Sequence, residues 1–357
     1  MSMKRVRLFK TYVSLRSVCN VCRLLLRSNY GAIIGEGPEV KAFEKEFGQK
    51  FGLKNVVAVN SGTSALELAY ELAGVGEDDE VITPVLTAVM TNLPLLHRKA
   101  KVVFADIDTD LNINIEDVKR KITPKTKAIV FVHFGGNNRG LKELLEITKE
   151  KNLILIEDAA QAVGSDFWGK ADFTCVSLQA IKTLTSGDGG FLITKDDQLY
   201  ERAKRLRWFG YDREQKQKLG DTDIVEAGYK YHMNDITAAI GRGNLRNIDK
   251  LINKRKKLMT VYNEHPDVTA HVWFALVVGL PLEAMKYLES KGVGVGQHHY
   301  RNDKYTVFGG RQSFPVMDKV ENSFFLLPVH HGVSVREAKL VLSLLNEWQE
   351  VSNFSKA

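Results

Sequence analysis

Ser177-Leu-Gln-Ala-Ile-Lys-Thr-Leu-Thr-Ser-Gly-Asp-Gly-Gly190 places one lysine, Lys182, between the apolar run FTCVSL (173–178) and a glycine-rich turn that opens a second apolar run, GGFLITK (189–195). A lysine taken alone is most often a solvated surface group. Whether this one differs depends on what the rest of the chain brings to the same place.

Outward from that stretch, helix-period and strand-like segments alternate from residue 39 onward. EVKAFEKEFGQKFG, TSALELAYELAG and GLKELLEITKEKN have helical periodicity; NVVAVN, DEVITP, KVVFADI, TKAIVFVH and NLILIEDA are short apolar strands. Continuous apolar strands alternating with helices predict an α/β fold with a mainly parallel sheet between helices. In such sheets ligands gather at the carboxyl ends of the strands. The polar residues there are Ser61 to Ser64, Thr83, His133, Asp158, Gln161 and Ser177. Beyond about residue 245 the pattern shifts to a long basic helix and shorter mixed elements. This divides the chain into a large domain over 1–245 and a smaller C-terminal α/β domain over 246–357. The polar stretch 211–223 reads as a long loop.

The 357 residues are 44% apolar and 26% charged, with a formal charge of +7. That composition is globular, and the charge favours anionic ligands in general. The basic run Asn253-Lys-Arg-Lys-Lys257 reads as a solvated helix face, and no nucleic-acid recognition motif accompanies it. Cys19 and Cys22 form a lone C-x-x-C with no further pair or histidine to complete a metal site, so they read as packing cysteines in a reducing compartment. No apolar stretch approaches the roughly 20 residues of a membrane span. A basic start without a cleavage pattern gives no secretory signal. The expectation is a cytoplasmic protein with no membrane or nucleic-acid partner and no metal.

The strand-end residues suggest a chemistry. Ser61-Gly-Thr-Ser64 at a helix start could cradle a phosphate, because free N–H groups and hydroxyls converge there. Asp158 ends a central strand, where a carboxylate could cap a helix, bind a ribose or metal, or pair with a cation. Together with Lys182, these groups fit a phosphate-bearing aldehyde with a basic ring nitrogen, pyridoxal 5′-phosphate (PLP). A carboxylate keeps the ring nitrogen protonated and an amine forms the imine.

IEDAAQAVGS, SLQAIKTLTSGDGG and GYKYHMNDITAAIG, in that order, resemble the nucleotide-sugar aminotransferases of the DegT/StrS group, fold-type-I PLP-dependent transferases. The resemblance runs over about 35–245 and returns through HHYRNDKY near residue 300. It implies that Lys182 forms the imine, Asp158 faces the pyridine nitrogen and Gln161 bonds the phenolic oxygen. Gly62, Thr63 and Ser177 would hold the phosphate, completed by Asn234 of a second subunit in a homodimer with shared active sites. Ala88 stands where many members carry an aromatic residue over the ring, which leaves His133 or Phe134 as candidates for stacking. The stretch 262–280 is shorter than usual.

In HHYRND, His299 and Arg301 suit a diphosphate through charge-assisted hydrogen bonds, with a salt-bridged surface loop as the competing reading. The expected activity is transfer of an amino group from an amino acid, L-glutamate, to C4 of a nucleoside-diphosphate 4-keto-6-deoxyhexose. A C3 enzyme, or a non-catalytic protein of the same fold acting as a regulator or binding module, is the alternative. Members that are sugar dehydratases carry a histidine in place of the lysine, which Lys182 argues against.

Overall fold

The computed structural model describes residues 6–28 and 35–354, with side chains up to residue 352. The basic opening residues 1–5, and with them the first residues of the expected large domain, lie outside it. The strands are β1 (Val56–Val59), β2 (Glu80–Pro84), β3 (Leu86–Thr87), β4 (Lys101–Ala105), β5 (Thr126–Val132) and β6 (Ile154–Asp158). They continue with β7 (Phe173–Ser177), β8 (Gly190–Thr194), β9 (Val268–Ala270), β10 (Phe274–Val278), β11 (Tyr300–Arg301) and β12 (Phe324–Pro328). Among the described residues the largest sheet has seven strands in the order β1-β8-β7-β6-β5-β2-β4. All run parallel except β8, which is antiparallel to both its neighbours.

Both faces of this sheet are covered, which is why its strands are apolar without alternation. In β5, Val130 and Val132 enter the core beneath the helix α3 (Gly62–Leu72), which follows α1 (Leu15–Ser28) and α2 (Pro38–Phe51), while Ile129 and Phe131 pack against Leu141 and Leu144 on the other side. Between β7 and β8 the chain must reverse, and it does so through the stretch that carries Lys182. Gly187 and Gly189 have φ of 88° and 140°, conformations that glycine alone adopts without strain.

A second sheet, β12-β10-β9, packs with the helices Ile248–Tyr262 and Val335–Phe354 around its own apolar core. Val6 belongs to that core, so the N-terminal segment is tied to the last part of the chain. The segment bonds there through Val6 N to Gly292 O at 3.0 Å, and His330 Nε2 donates to Arg7 O at 2.8 Å. Ser14 N then reaches Asn244 Oδ1 at 2.8 Å on the helix Asp235–Leu245. The helix α1 (Leu15–Ser28) follows and lies against it, so closely that a Cβ on Gly243 would meet Ser17 N and Cα at 2.5 Å. No helix among the described residues is long and apolar enough to cross a membrane.

Four expectations are corrected. Cys19 and Cys22 do not pack: both are exposed on α1, because the face turned inward carries Ser14, Ser17 and Leu24. The stretch 211–223 is not wholly loop: Arg213–Leu219 is helical, capped by Asp212 accepting from Gln215 N at 3.0 Å, and with no apolar residue before Leu219 it shows no periodicity in sequence. In the basic run, Arg255 is buried and bonds the carbonyls of Val272, Trp273 and Val329.

The fourth concerns Arg301, which is 1% exposed and unavailable to a diphosphate. Its Nε and Nη2 clasp both oxygens of Asp303 at 2.7 and 2.6 Å, Nη2 also donates to Gln312 O at 2.8 Å, and Nη1 pairs with Asp318. Backbone pairing of β11 with β3 sets Arg301 opposite Leu86, so the guanidinium braces the edge that leads into the site. Arg301→Ala strands Asp303 in the interior, and such losses cost about 3–5 kcal/mol. A urea midpoint well below the parent's is expected, and an unchanged midpoint would contradict the brace.

Candidate active site

Asp158 is the last residue of β6, 6% exposed. Its Oδ2 accepts the Thr91 hydroxyl at 2.8 Å and its Oδ1 accepts Ala160 N–H at 3.1 Å. Thr91 lies on the helix α4 (Val89–His97), and its hydroxyl also lies 3.0 Å from that of Thr87. The residue before Asp158 points the other way, as alternation requires. Glu157 is fully buried, takes three backbone N–H groups from Gly169, Lys170 and Ala171, and meets His133 Nε2 at 2.8 Å. His133 is thus tied to the face away from Asp158. Phe134 sets its edge against His299, with centroids 5.9 Å apart.

Ser61 caps α3 by accepting Ser64 N–H at 3.0 Å. Gly62 and Thr63 follow in the first turn, where backbone N–H groups have no intrahelical acceptor and the helix dipole favours an anion. A Cβ on Gly62 would lie 2.8 Å from Ser177 Cβ, so the helix start and the end of β7 are pressed together. Three of the residues singled out in the sequence, Gly62, Thr63 and Ser177, therefore share one cradle.

Lys182 is held in the turn by its N–H to Gln179 O at 2.9 Å. Burial lowers its basicity to about 8, although Asp158 acts in the opposite sense. Its Nζ stands 4.2 Å from the centre of the Trp273 ring. Gln161 accepts Gly135 N–H at 2.6 Å through Oε1 and donates through Nε2 to His299 Nε2 at 2.8 Å. An amide NH₂ can only donate, so the proton of His299 sits on Nδ1. Burial, the neighbouring His298 and Lys182 all hold His299 well below the usual imidazole range; burial and Lys182 hold His298 down to about 4. Neither imidazole supplies a positive charge at neutral pH.

The structure thus brings Asp158, Gln161, Lys182 and His299 to one side of the strand ends and Gly62, Thr63 and Ser177 to a cradle beside them. Asn234 is exposed and caps the helix Asp235–Leu245 by accepting Thr237 N–H at 2.9 Å. Among the described residues no hydrogen bond joins it to the Asp158 cluster of its own chain. Sequence reasoning missed Thr91, Trp273 and Phe9. Two hydroxyls four apart in the otherwise apolar VLTAVMT, Thr87 at the end of β3 and Thr91 in α4, are the signal that could have found Thr91. No pattern in the sequence points to the other two.

A family model described as the DegT/DnrJ/EryC1/StrS aminotransferase family matches residues 20–346. The dTDP-4-dehydro-2,3,6-trideoxy-D-glucose 4-aminotransferase of Saccharopolyspora spinosa is 30% identical over 340 residues, covering 86% of this chain and 88% of the relative. The crystal structure of the sugar aminotransferase CalS13 from Micromonospora echinospora matches with a TM-score of 0.87 at 30% identity, over 96% of this chain and 99% of that one. AtS13 from Actinomadura melliaura matches with a TM-score of 0.89 at 29% identity, over 97% and 100%. The chain belongs to the DegT/DnrJ/EryC1/StrS aminotransferase family, a PLP-dependent family to which sugar aminotransferases belong.

Proposed function

We propose that this chain binds PLP at Lys182 and transfers an amino group from L-glutamate to the C4 keto group of a nucleoside-diphosphate 4-keto-6-deoxyhexose. The observation that carries the proposal is the half-buried, weakly basic Lys182 set beside Asp158 and the Gly62–Ser177 cradle. The cofactor fits these residues: a cradle too tight for a Cβ suits a phosphate, and a buried carboxylate suits a ring nitrogen that carries a proton. The name of the Saccharopolyspora spinosa relative, a 4-aminotransferase acting on a dTDP-linked sugar, supports the ring position and the nucleotide class.

In this reading Gly62, Thr63 and Ser177 hold the phosphate, Asp158 faces the pyridine nitrogen and Gln161 the phenolic oxygen. Thr91 and Ala160 N–H fix the Asp158 carboxylate for that task. When bound, PLP supplies an electron sink for the carbon that loses its proton. Lys182 Nζ takes that proton from the donor and returns one on the acceptor side, and an amine titrating near 8 is poised for both directions. His299, neutral, orients the Gln161 amide. A binding-only protein of this fold would have no use for a half-buried, weakly basic lysine beside a buried carboxylate, which favours the enzyme. Asn234 completes the phosphate shell of a second subunit in a cytoplasmic homodimer. The division into domains 1–245 and 246–357 belongs to the same proposal and falls where one helix ends at Leu245 and the next begins at Ile248.

Cofactor capture tests the lysine. The neutral amine predominates above about pH 8 and is protonated below it, so capture of PLP by the apoprotein slows about tenfold for each pH unit below that point. Borohydride then fixes the cofactor on Lys182 in a peptide map. An inflection near an ordinary lysine value, or label on another residue, contradicts the assignment.

Product NMR tests the acceptor. Incubation with glutamate and dTDP-4-keto-6-deoxyglucose gives a 4-amino sugar, and amination at C3 would overturn the ring position while sparing the enzyme class.

Subunit mixing tests the shared site. Lys182→Ala and Asn234→Ala chains are each inactive. If Asn234 serves the partner's cofactor, their heterodimer gathers both lesions in one site and leaves the other intact, so activity returns on mixing. No recovery would place Asn234 in its own chain's site.

A further inference from the structure

An aromatic residue that no sequence motif marked stands beside the Lys182 amine. Trp273 precedes β10 directly, is 1% exposed, and is fixed at both backbone ends: its N–H reaches Gly135 O at 3.0 Å and its carbonyl accepts Arg255 Nη1 at 3.2 Å. Phe9, from the N-terminal segment, stacks on it with centroids 5.2 Å apart and planes 25° apart, and His298 closes a third side at 5.4 Å. Its side-chain Nε1–H is buried without an acceptor among the described residues. Buried indole N–H groups find partners as a rule, so a donor left over on a ring beside a reactive amine asks for an acceptor on the ligand.

We infer that Trp273, backed by Phe9, is the wall that receives the acceptor sugar, its ring against the sugar's C–H surface and its Nε1–H donating to a sugar oxygen. The inference rests on the sugar-acceptor reading above and adds the residue that selects for it. The carbon that gains the amino group must come within a bond or two of the place where Nζ stands, and the indole borders that place at 4.2 Å. An amino-acid donor brings carboxylates, which seek fixed cations. Apart from the reacting Lys182, the basic groups nearby offer none: His298 and His299 are held neutral, Arg301 is consumed by Asp303 and Asp318, and Arg255 is spent on the carbonyls of Val272, Trp273 and Val329. A neutral, aromatic wall with one spare donor matches an uncharged ring bearing hydroxyl or keto oxygens.

The test uses PLP-loaded full-length protein with glutamate and dTDP-4-keto-6-deoxyglucose as the two substrates. Trp273→Phe keeps the ring and removes the N–H; loss of one such bond raises KM for the keto sugar about tenfold, with KM for glutamate near the parent's. Phe9→Ala shifts KM in the same selective direction; Phe9 is only partly buried, so this variant guards against a misfolded Trp273 variant. A binding readout independent of turnover is the quench of tryptophan fluorescence by the 4-amino sugar nucleotide, expected in the parent and lost in Trp273→Phe, with dTDP alone as control. An equal KM rise for both substrates would assign Trp273 to the cofactor or the lysine and overturn the wall, as would no rise in either variant. A parent that neither binds nor aminates the nucleotide sugar would overturn the acceptor reading itself, a result distinct from a working parent with unaltered variants.

Discussion

The hydrogen bond from Thr91 to Asp158, at 2.8 Å, is the contact on which the arrangement of the site turns. A carboxyl group at the end of a central strand is expensive to bury unless its oxygens are satisfied. Thr91 and the N–H of Ala160 satisfy one oxygen each, and both then become obligatory. Thr91 is in turn linked to Thr87, whose carbonyl accepts Asn302 Nδ2 at 2.8 Å; Asn302 Oδ1 accepts Asn92 Nδ2 at 2.9 Å, and Asn92 Oδ1 accepts the Thr83 hydroxyl at 2.7 Å. The network ties the end of β6 to the turn after β2 and to the motif HHYRND, more than two hundred residues further along. That motif works as a buttress: Arg301 and Asp303 neutralise each other inside it, and Asn302 carries its rigidity to the carboxylate.

The electrostatics of the site follow from this economy of charge. Asp158 and Lys182 are the ionisable pair at its centre, and the histidines around them stay neutral because burial and the lysine both oppose a second positive charge. Lys182 is itself kept weakly basic by burial, with Asp158 limiting the drop. A nucleophilic amine needs such a value, since at its ordinary pKa almost none would be neutral near pH 7. An anion is best accommodated where no side-chain cation is required, at the start of α3. There the N–H groups and the close approach of Gly62 to Ser177 provide the positive end of a dipole at little desolvation cost.

Much of this was legible in the sequence. The parallel sheet shows in the unbroken apolar runs, and Lys182, Asp158, Gln161 and the Ser61–Ser64 turn are local: each lies at a strand's carboxyl end or a few residues beyond it, so strand recognition locates it. Contacts made across great sequence distance were not legible. Phe9 and Trp273 meet only because the N-terminal segment crosses to the second sheet, and an aromatic residue has the same local signature whether it faces a core or a reactive amine. Arg301 was misread for a related reason: its partner Asp303 was visible two residues away, but nothing local reveals burial, which decides between a ligand and a brace. Arg255, embedded in a run of four basic residues, is the same case. Three backbone carbonyls converge on it where the solvated helix face should have been.

Arg255 also explains why the roof over the lysine is as well fixed as the floor beneath it. A guanidinium sunk among carbonyls, with burial lowering its basicity to about 9, is costly unless those carbonyls stay in place. They belong to Val272, Trp273 and Val329, so the indole is held from behind by the helix Ile248–Tyr262 and the strand end after β12. The floor comes from the strand ends of the large sheet and carries the groups proposed to serve the cofactor. The roof comes from the second sheet and the N-terminal segment. The groups proposed for the cofactor and the residue proposed for the acceptor then come from separate parts of the chain, which meet at the bond from Trp273 N–H to Gly135 O and again where Trp273 stands over the Lys182 amine.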